Sequence, residues 1–371
     1  MKSIKQFFVL APLLSLEFSC GIVEELQEEE GSVLLETTEI SADVSLTLPE
    51  ESYDYAFTFG GMRLAEQDNT PSDNPITDAG ATLGRVLFYD TLLSLNETVS
   101  CGTCHIQSLG FADNLALSVG FDGELTGRNS MGLANARFYE NGKFFWDERA
   151  DSLEEQVLMP IQDSKEMGLS IDEAVLRVSE ASYYASLFEA AFGDSTVTEE
   201  RMSYALAQFV RSIAGFPAEA LTDRRATGDL DSEVLAGKRL FFSREASCGR
   251  CHGGASLTTD QARDNGLEIF DDLGVFTATG DSDDIGEFKV PSLVNIGLTA
   301  PYMHDGRFET LREVVEHYSS GIQENDNLSN RIAENLTLSD GESDSLVAYL
   351  ESLTNTNLTT NPKWSDPFVR Q

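Results

Sequence analysis

CGTCH at residues 101–105 and CGRCH at residues 248–252 decide how this chain is read. Each Cys-x-x-Cys-His run offers two thiols that can add to the vinyl groups of a haem, and an imidazole that can take the iron from below. One run alone would equally suit a zinc or dithiol redox site. A tetrahedral zinc site, however, draws on more cysteines than one Cys-x-x-Cys supplies unless two copies share it. A redox dithiol wants a thioredoxin-like βαβ setting that is absent from the sequence. The two runs therefore read as attachment sites for two haem c groups, on Cys101, Cys104 and His105 and on Cys248, Cys251 and His252.

The residues ahead of each motif repeat as well. GRVLFYDTLLSLNETVSCGTCH, from Gly84, and GKRLFFSREASCGRCH, from Gly237, both run glycine, basic, apolar, aromatic and then the haem motif, with a longer spacer in the first copy. Such a repeat is the pattern of tandem cytochrome-c-like domains. Helical signals surround it and strand signals are few. TEERMSYALAQFVRSI, from Thr198, sets Met202, Ala205, Leu206, Phe209, Val210 and Ile213 at helical spacing behind a Thr cap. IDEAVLRVSEASYYASLFEAAFG and SDGESDSLVAYLESL follow the same pattern. The expected fold class is mainly α, with two tandem cytochrome-c-like domains, each holding one covalently bound haem c. The polar stretch LTDRRATGDLD at residues 221–231 marks their boundary. It gives an N-terminal domain at 56–225 and a C-terminal domain at 226–371.

Ahead of these domains, Lys2 and Lys5 precede FFVLAPLLSL and then EFSC, ending at Cys20. Residues 1–20 read as an export signal, since the apolar run is too short for a permanent membrane span. A cysteine at the cleavage point resembles a bacterial lipoprotein signal with Cys20 lipidated, although Glu17 and Phe18 depart from the usual residues there. The alternative is an ordinary cleaved secretory signal. Residues 21–55 are acidic and aperiodic and read as a flexible tether. The expected location is the periplasm or outer cell envelope, with membrane contact through a lipid anchor at Cys20 only. Across the chain, 63 acidic against 25 basic side chains leave a net charge of −38. That argues against nucleic acid as a partner and favours a small cationic redox protein. Solubility or a saline habitat explains the charge equally well.

What lies above each iron separates an electron carrier from an enzyme. The chain has four histidines, His105, His252, His304 and His317. Two are the motif ligands, and the other two fall in the C-terminal domain. The upper position of the first iron is left to Met131, Met159 or Met167, or to no side chain. A methionine would make a carrier; an open position would admit peroxide. In TLREVVEHYSSG, Thr310 can cap a helix whose Leu311, Val314, Val315 and Tyr318 share an apolar face, with His317 about 100° round from Tyr318. Tyr318, His317 and Met303 are the options above the second iron.

From about residue 55 to 360 the chain resembles the bacterial di-haem cytochrome c peroxidases, a group that includes the MauG-like enzymes. FFWDERADSLEEQVLMPIQDSKEMG at 144–168 and FKVPSLVNIGLTAPYMHDG at 288–306 carry the likeness. The resemblance implies a peroxidase that reduces hydrogen peroxide to water at the N-terminal haem. Electrons would be relayed through the C-terminal haem from a small cationic cytochrome c or cupredoxin. A MauG-like enzyme would instead use peroxide to oxidise Trp or Tyr side chains of a partner protein. A non-enzymatic di-haem electron carrier is the reading from another class.

Residue by residue, the resemblance makes Trp146 the conductor between the haems. It makes Gln156 and Glu166 the polar pair over the open face of the first haem, with Glu166 moving the proton that promotes O–O cleavage. Pro160 becomes the proline that crowds that face. Tyr318 becomes the upper ligand of the second iron, and His304 a neighbour of the second haem that does not ligate it. Asn129, with the carbonyls of Thr299 and Pro301, would hold a calcium ion between the domains. Relatives that need reductive activation carry a histidine in the loop after the first haem motif. Here that loop reads SVGFDGELTG, with Phe121 about where the histidine would stand. The resemblance then implies a first haem that is competent at rest, as in the MauG-like enzymes.

Overall fold

The computed structural model describes residues 44–49, 51–56, 62–267, 272–332 and 336–369; the export signal, Cys20 and the chain up to residue 43 lie outside these. The helices that build the sites are α1 (Asp78–Tyr89), α2 (Ile171–Glu180), α3 (Tyr184–Phe192), α4 (Glu199–Ser212), α5 (Ser232–Phe241), α6 (Leu311–Glu316) and α7 (Asp340–Ser352). Two short strands, β1 (Ala262–Arg263) and β2 (Phe288–Lys289), pair antiparallel. Among the described residues no helix is long and apolar enough to cross a membrane.

Local chemistry starts the helices where the sequence indicates. The Thr198 hydroxyl accepts from the Arg201 N–H at the start of α4. Thr310 with Glu313, and Ser339 with Glu342, form reciprocal capping boxes on α6 and α7. The segment from Ile171, however, does not stay one helix. It breaks between α2 and α3, and the hydroxyls of Tyr183 and Tyr184 both donate to Asp90 Oδ2 at 2.7 Å. The chain turns extended at Ala181, ahead of both tyrosines, and resumes helical backbone from Tyr183.

The sequence repeat is also a structural one. α1 packs on α4, and α5 packs on α7. A Cβ on Gly84 would collide with the carbonyl of Ala205, and one on Gly237 with the carbonyl of Ser345. Further along each copy, Tyr89 fills the space beside Gly102 and Phe242 the space beside Gly249. Glycine therefore lets each helix pair cross closely, and the aromatic seats the haem motif against it. The fold is mainly α, built from two tandem cytochrome-c-like units.

The ends of the chain depart from the expected boundaries. Leu46 bridges to Phe368, with Thr47 N–H donating to the Pro367 carbonyl at 2.7 Å and Val369 N–H to that of Ser45 at 2.9 Å. Tyr55 is fully buried and donates its hydroxyl to the Lys363 carbonyl. The tether expected over 21–55 is thus docked in its described part, because Leu46, Leu48 and Tyr55 bury against the main core. The tail does not stay with the C-terminal half either. Trp364 is buried, its Nε1 donates to the Ser212 carbonyl at 3.1 Å, and its own carbonyl accepts from the Tyr89 hydroxyl at 2.7 Å. Residues Val44–Gln371 form one compact unit, in which the last residues of the expected 226–371 domain complete the N-terminal one.

Candidate active site

His105 follows the helical turn Cys101–Cys104 and points one ring nitrogen back into the protein. Its Nδ1 lies 2.9 Å from the Phe111 carbonyl and 3.2 Å from Ser130 Oγ. A carbonyl only accepts, so the proton sits on Nδ1 and Nε2 keeps its lone pair for iron. Burial also lowers the pKa of His105 and keeps the ring neutral. At the second motif, Cys248, Cys251 and His252 line a mainly apolar cavity of about 230 Å³ together with Met303, His304 and Tyr318. Burial holds His252 down at about 4. Its buried Nδ1 makes no hydrogen bond. No cysteine of either motif is in a disulfide. Among the described residues no cluster of three or more His, Cys, Asp or Glu side chains offers a metal site. Thiols, neutral imidazoles and an apolar cavity fit haem c and leave zinc short of ligands.

A short segment joins the two sites. Ser130 touches His105, while Asn129, Ser130 and Met131 line the second cavity. The Asn129 carbonyl accepts from Trp146 Nε1 at 2.9 Å, and the Trp146 carbonyl accepts from Lys289 N–H at 2.8 Å. Trp146 sits in a hairpin closed by Phe144 and Ala150, with Phe145 at φ 70° and Glu148 at φ 54°. Both lie in the left-handed region that side chains rarely adopt, a cost that surrounding contacts must hold. Those contacts are ionic. Arg128 grips Asp272 through two bonds of 2.6 and 2.8 Å and Asp147 at 2.6 Å, and Asp147 also holds Arg149 at 2.9 Å. Lys289 is buried against Asp260, 4.3 Å from the centre of the Tyr139 ring. Sequence reading passed over Arg128, Asp260 and Lys289; the lysine inside the apolar run FKVPSLV was the available signal.

On the first haem's side, Glu166 is near enough to Cys101 and Cys104 for its charge to act on both. Burial first, and then the charge of Asp163, push its carboxyl up to about 7, against a smaller pull from Arg149. Phe121 donates its N–H to the Glu166 carbonyl at 3.0 Å, and its ring fills the space beside Gly168. Pro160 opens the turn Met159–Gln162 and its carbonyl accepts from Met167 N–H. Gln156 ends the helical turn Leu153–Gln156 and is half-buried. Of the methionines considered for the first iron, Met131 lines the second cavity and Met167 is buried in the main core, while Met159 packs against that core.

Above the second haem motif the helix changes pitch. α6 passes into a wide π-helical turn, His317–Gly321, a form that concentrates at functional positions. Tyr318 lines the cavity; His317 does not. His317 Nε2 bonds the Asn265 carbonyl at 3.0 Å instead. His304 lines the cavity too, its ring stacked on Phe288 at 3.7 Å, and its carbonyl accepts from Asn129 N–H at 2.8 Å. Asn129, Thr299 and Pro301 all border this cavity. The Asn129 amide nitrogen donates to the carbonyls of Leu115 and Ala116.

Two helical units, each carrying a Cys-x-x-Cys-His haem motif, define a di-haem c-type cytochrome. The family model for di-haem cytochrome c peroxidases matches residues 78–230. The methylamine utilization protein MauG of Methylorubrum extorquens is 36% identical over 321 residues, covering 85% of this chain and 90% of that protein. The cytochrome c551 peroxidase of Nitrosomonas europaea is 31% identical, covering 85% of this chain and 92% of its own. A crystal structure of a MauG-like protein associated with microbial copper homeostasis matches with a TM-score of 0.76 and 32% identity, over 84% of this chain and 99% of that one. The chain belongs to the family of di-haem cytochrome c peroxidases and MauG. It is an oxidoreductase of the peroxidase type with two c-type haems, acting on peroxide together with a redox donor or protein substrate.

Proposed function

We propose that this chain uses hydrogen peroxide at the N-terminal haem, on His105, to oxidise Trp or Tyr side chains of a partner protein. His252 and Tyr318 would hold the C-terminal haem, which would supply the electron relay, and Trp146 would carry electrons between the two haem sites. Haem iron supplies the site of O–O cleavage and the electron storage. Glu166 supplies the proton chemistry: its carboxylate takes a proton from one peroxide oxygen and returns it to the departing one. Each peroxide takes up two electrons and two protons and yields two waters. Gln156 and Pro160 hold and crowd the same face.

Tyr318 carries the reading. Its phenol borders the second cavity while its neighbour His317 is turned onto a backbone carbonyl, and an oxygen-anion ligand stabilises oxidised iron. Phe121 supports it further, because phenylalanine cannot cap the first iron at rest. Spectra of the resting ferric protein test this. One high-spin and one low-spin haem are expected, with a near-infrared charge-resonance band when peroxide is added without prior reduction. Two low-spin haems at rest would return the protein to the class of electron carriers.

A second reading is favoured by the net charge of −38: a small cationic cytochrome c or cupredoxin supplies the electrons, steered by that field. Fast turnover with reduced cytochrome c and no near-infrared band would select it. In either case we place the protein in the periplasm or outer envelope, lipid-anchored at Cys20, with a calcium ion on Asn129 and the carbonyls of Thr299 and Pro301. Native mass spectrometry checks both proposals: a lipid-modified Cys20 and one calcium per chain are expected, and the absence of either removes it.

A further inference from the structure

Asn265 meets both Tyr318 and Met303, the two cavity-lining candidates above the second haem motif. Its Nδ2 lies 3.3 Å from the Tyr318 hydroxyl and 3.6 Å from Met303 Sδ. The amide cannot be turned the other way without loss, because Oδ1 already accepts from Leu267 N–H at 3.4 Å. The backbone around it is fixed from several sides. His317 bonds the Asn265 carbonyl, Gln323 N–H donates to the Gly266 carbonyl at 2.8 Å, and Ser329 N–H donates to that of Asp264 at 3.2 Å. β1 ties the preceding residues to β2.

The π-helical turn explains how this convergence is possible. His317 and Tyr318 are adjacent in the chain, yet one meets the carbonyl of Asn265 and the other its side-chain amide. The imidazole clamps the main chain; the phenol receives the donor.

We infer that Asn265 is a positioning residue for the second haem, donating a hydrogen bond to the Tyr318 oxygen where it ligates iron and thereby setting that haem's reduction potential. The inference rests on Tyr318 being the ligand proposed above. A donor to a phenolate oxygen withdraws electron density from it, so the oxygen gives less to ferric iron. Without the donor the phenolate binds ferric iron more strongly and the potential falls. Met303 belongs to the same device, since the second amide hydrogen faces its sulfur.

The test uses the full-length di-haem protein in a Met303→Leu background, so that the sulfur cannot replace a disturbed tyrosine. Asn265→Leu is expected to shift the ferric–ferrous equilibrium of the second haem about tenfold toward ferric, about 59 mV for one electron. The first haem's potential should stay where it is. Resonance Raman supplies a second readout: the phenolate C–O stretch should respond to deuterium exchange in the parent and lose that response in Asn265→Leu. An unmoved potential and an unchanged isotope response, with the phenolate-to-iron charge-transfer band still present, would overturn the role of Asn265 and leave Tyr318 as ligand. If that band is missing from the parent and Tyr318→Phe leaves the second haem's spectrum unaltered, the ligand assignment fails and the inference falls with it.

Discussion

Glu166→Gln is expected to slow the reaction of the resting protein with hydrogen peroxide by about 10²-fold or more. The amide keeps the size and polarity of the side chain but cannot accept the peroxide proton. The pH profile carries the sign of the argument. Burial and Asp163 raise the Glu166 carboxyl to about 7, and the base works only when ionised. The native rate should therefore climb as pH rises through 7 and then level, while the variant stays low and flat. Stability should move the opposite way. A carboxyl whose folded pKa is raised adds stability at low pH, and this is lost as pH rises through the folded value. E166Q should match the native protein at pH 4 and melt higher above pH 7. Stopped-flow mixing with peroxide and thermal denaturation across that range check both; native-like kinetics in E166Q would take Glu166 out of the mechanism.

Trp146→Phe addresses the proposed link between the haems. Its indole N–H is held by Asn129 and its carbonyl by Lys289, so this ring is anchored to the segment that touches His105 and to the strand beside the second cavity. Phenylalanine fills most of the space but is far harder to oxidise, so holes no longer pass by way of the ring. The near-infrared band should disappear and turnover with a protein donor should fall about a hundredfold, equivalent to about 2.7 kcal/mol of added barrier. The initial reaction of the first haem with peroxide should be unaffected, which separates this variant from E166Q. Full turnover with an intact band would mean that the electrons take another route.

Both predictions start from motifs visible in the linear chain, but their force comes from residues that no motif flagged. FWDER marks Trp146; it does not reveal that Arg128 and Asp272, 144 residues apart, clamp the hairpin through Asp147. The run from Ile171 looks like a single helix, yet it breaks at Ala181, and Tyr183 and Tyr184 beyond the break both bond Asp90, far back in the chain. TLREVVEHYSSG does not reveal that the His317 ring meets the carbonyl of Asn265, 52 residues back in the chain.

The haem attachment points, the helix caps and the duplicated glycine–aromatic–haem pattern were legible from sequence alone. Each depends on covalent chemistry or on contacts within a few residues, and such contacts leave a fixed spacing. The docking of residues 44–55 and of the Trp364 tail, the ionic clamp on Trp146, and the approach of Asn265 to Tyr318 were decided only by the tertiary structure. They join side chains distant along the chain, whose meeting depends on how helices cross and turn and so leaves no period to read.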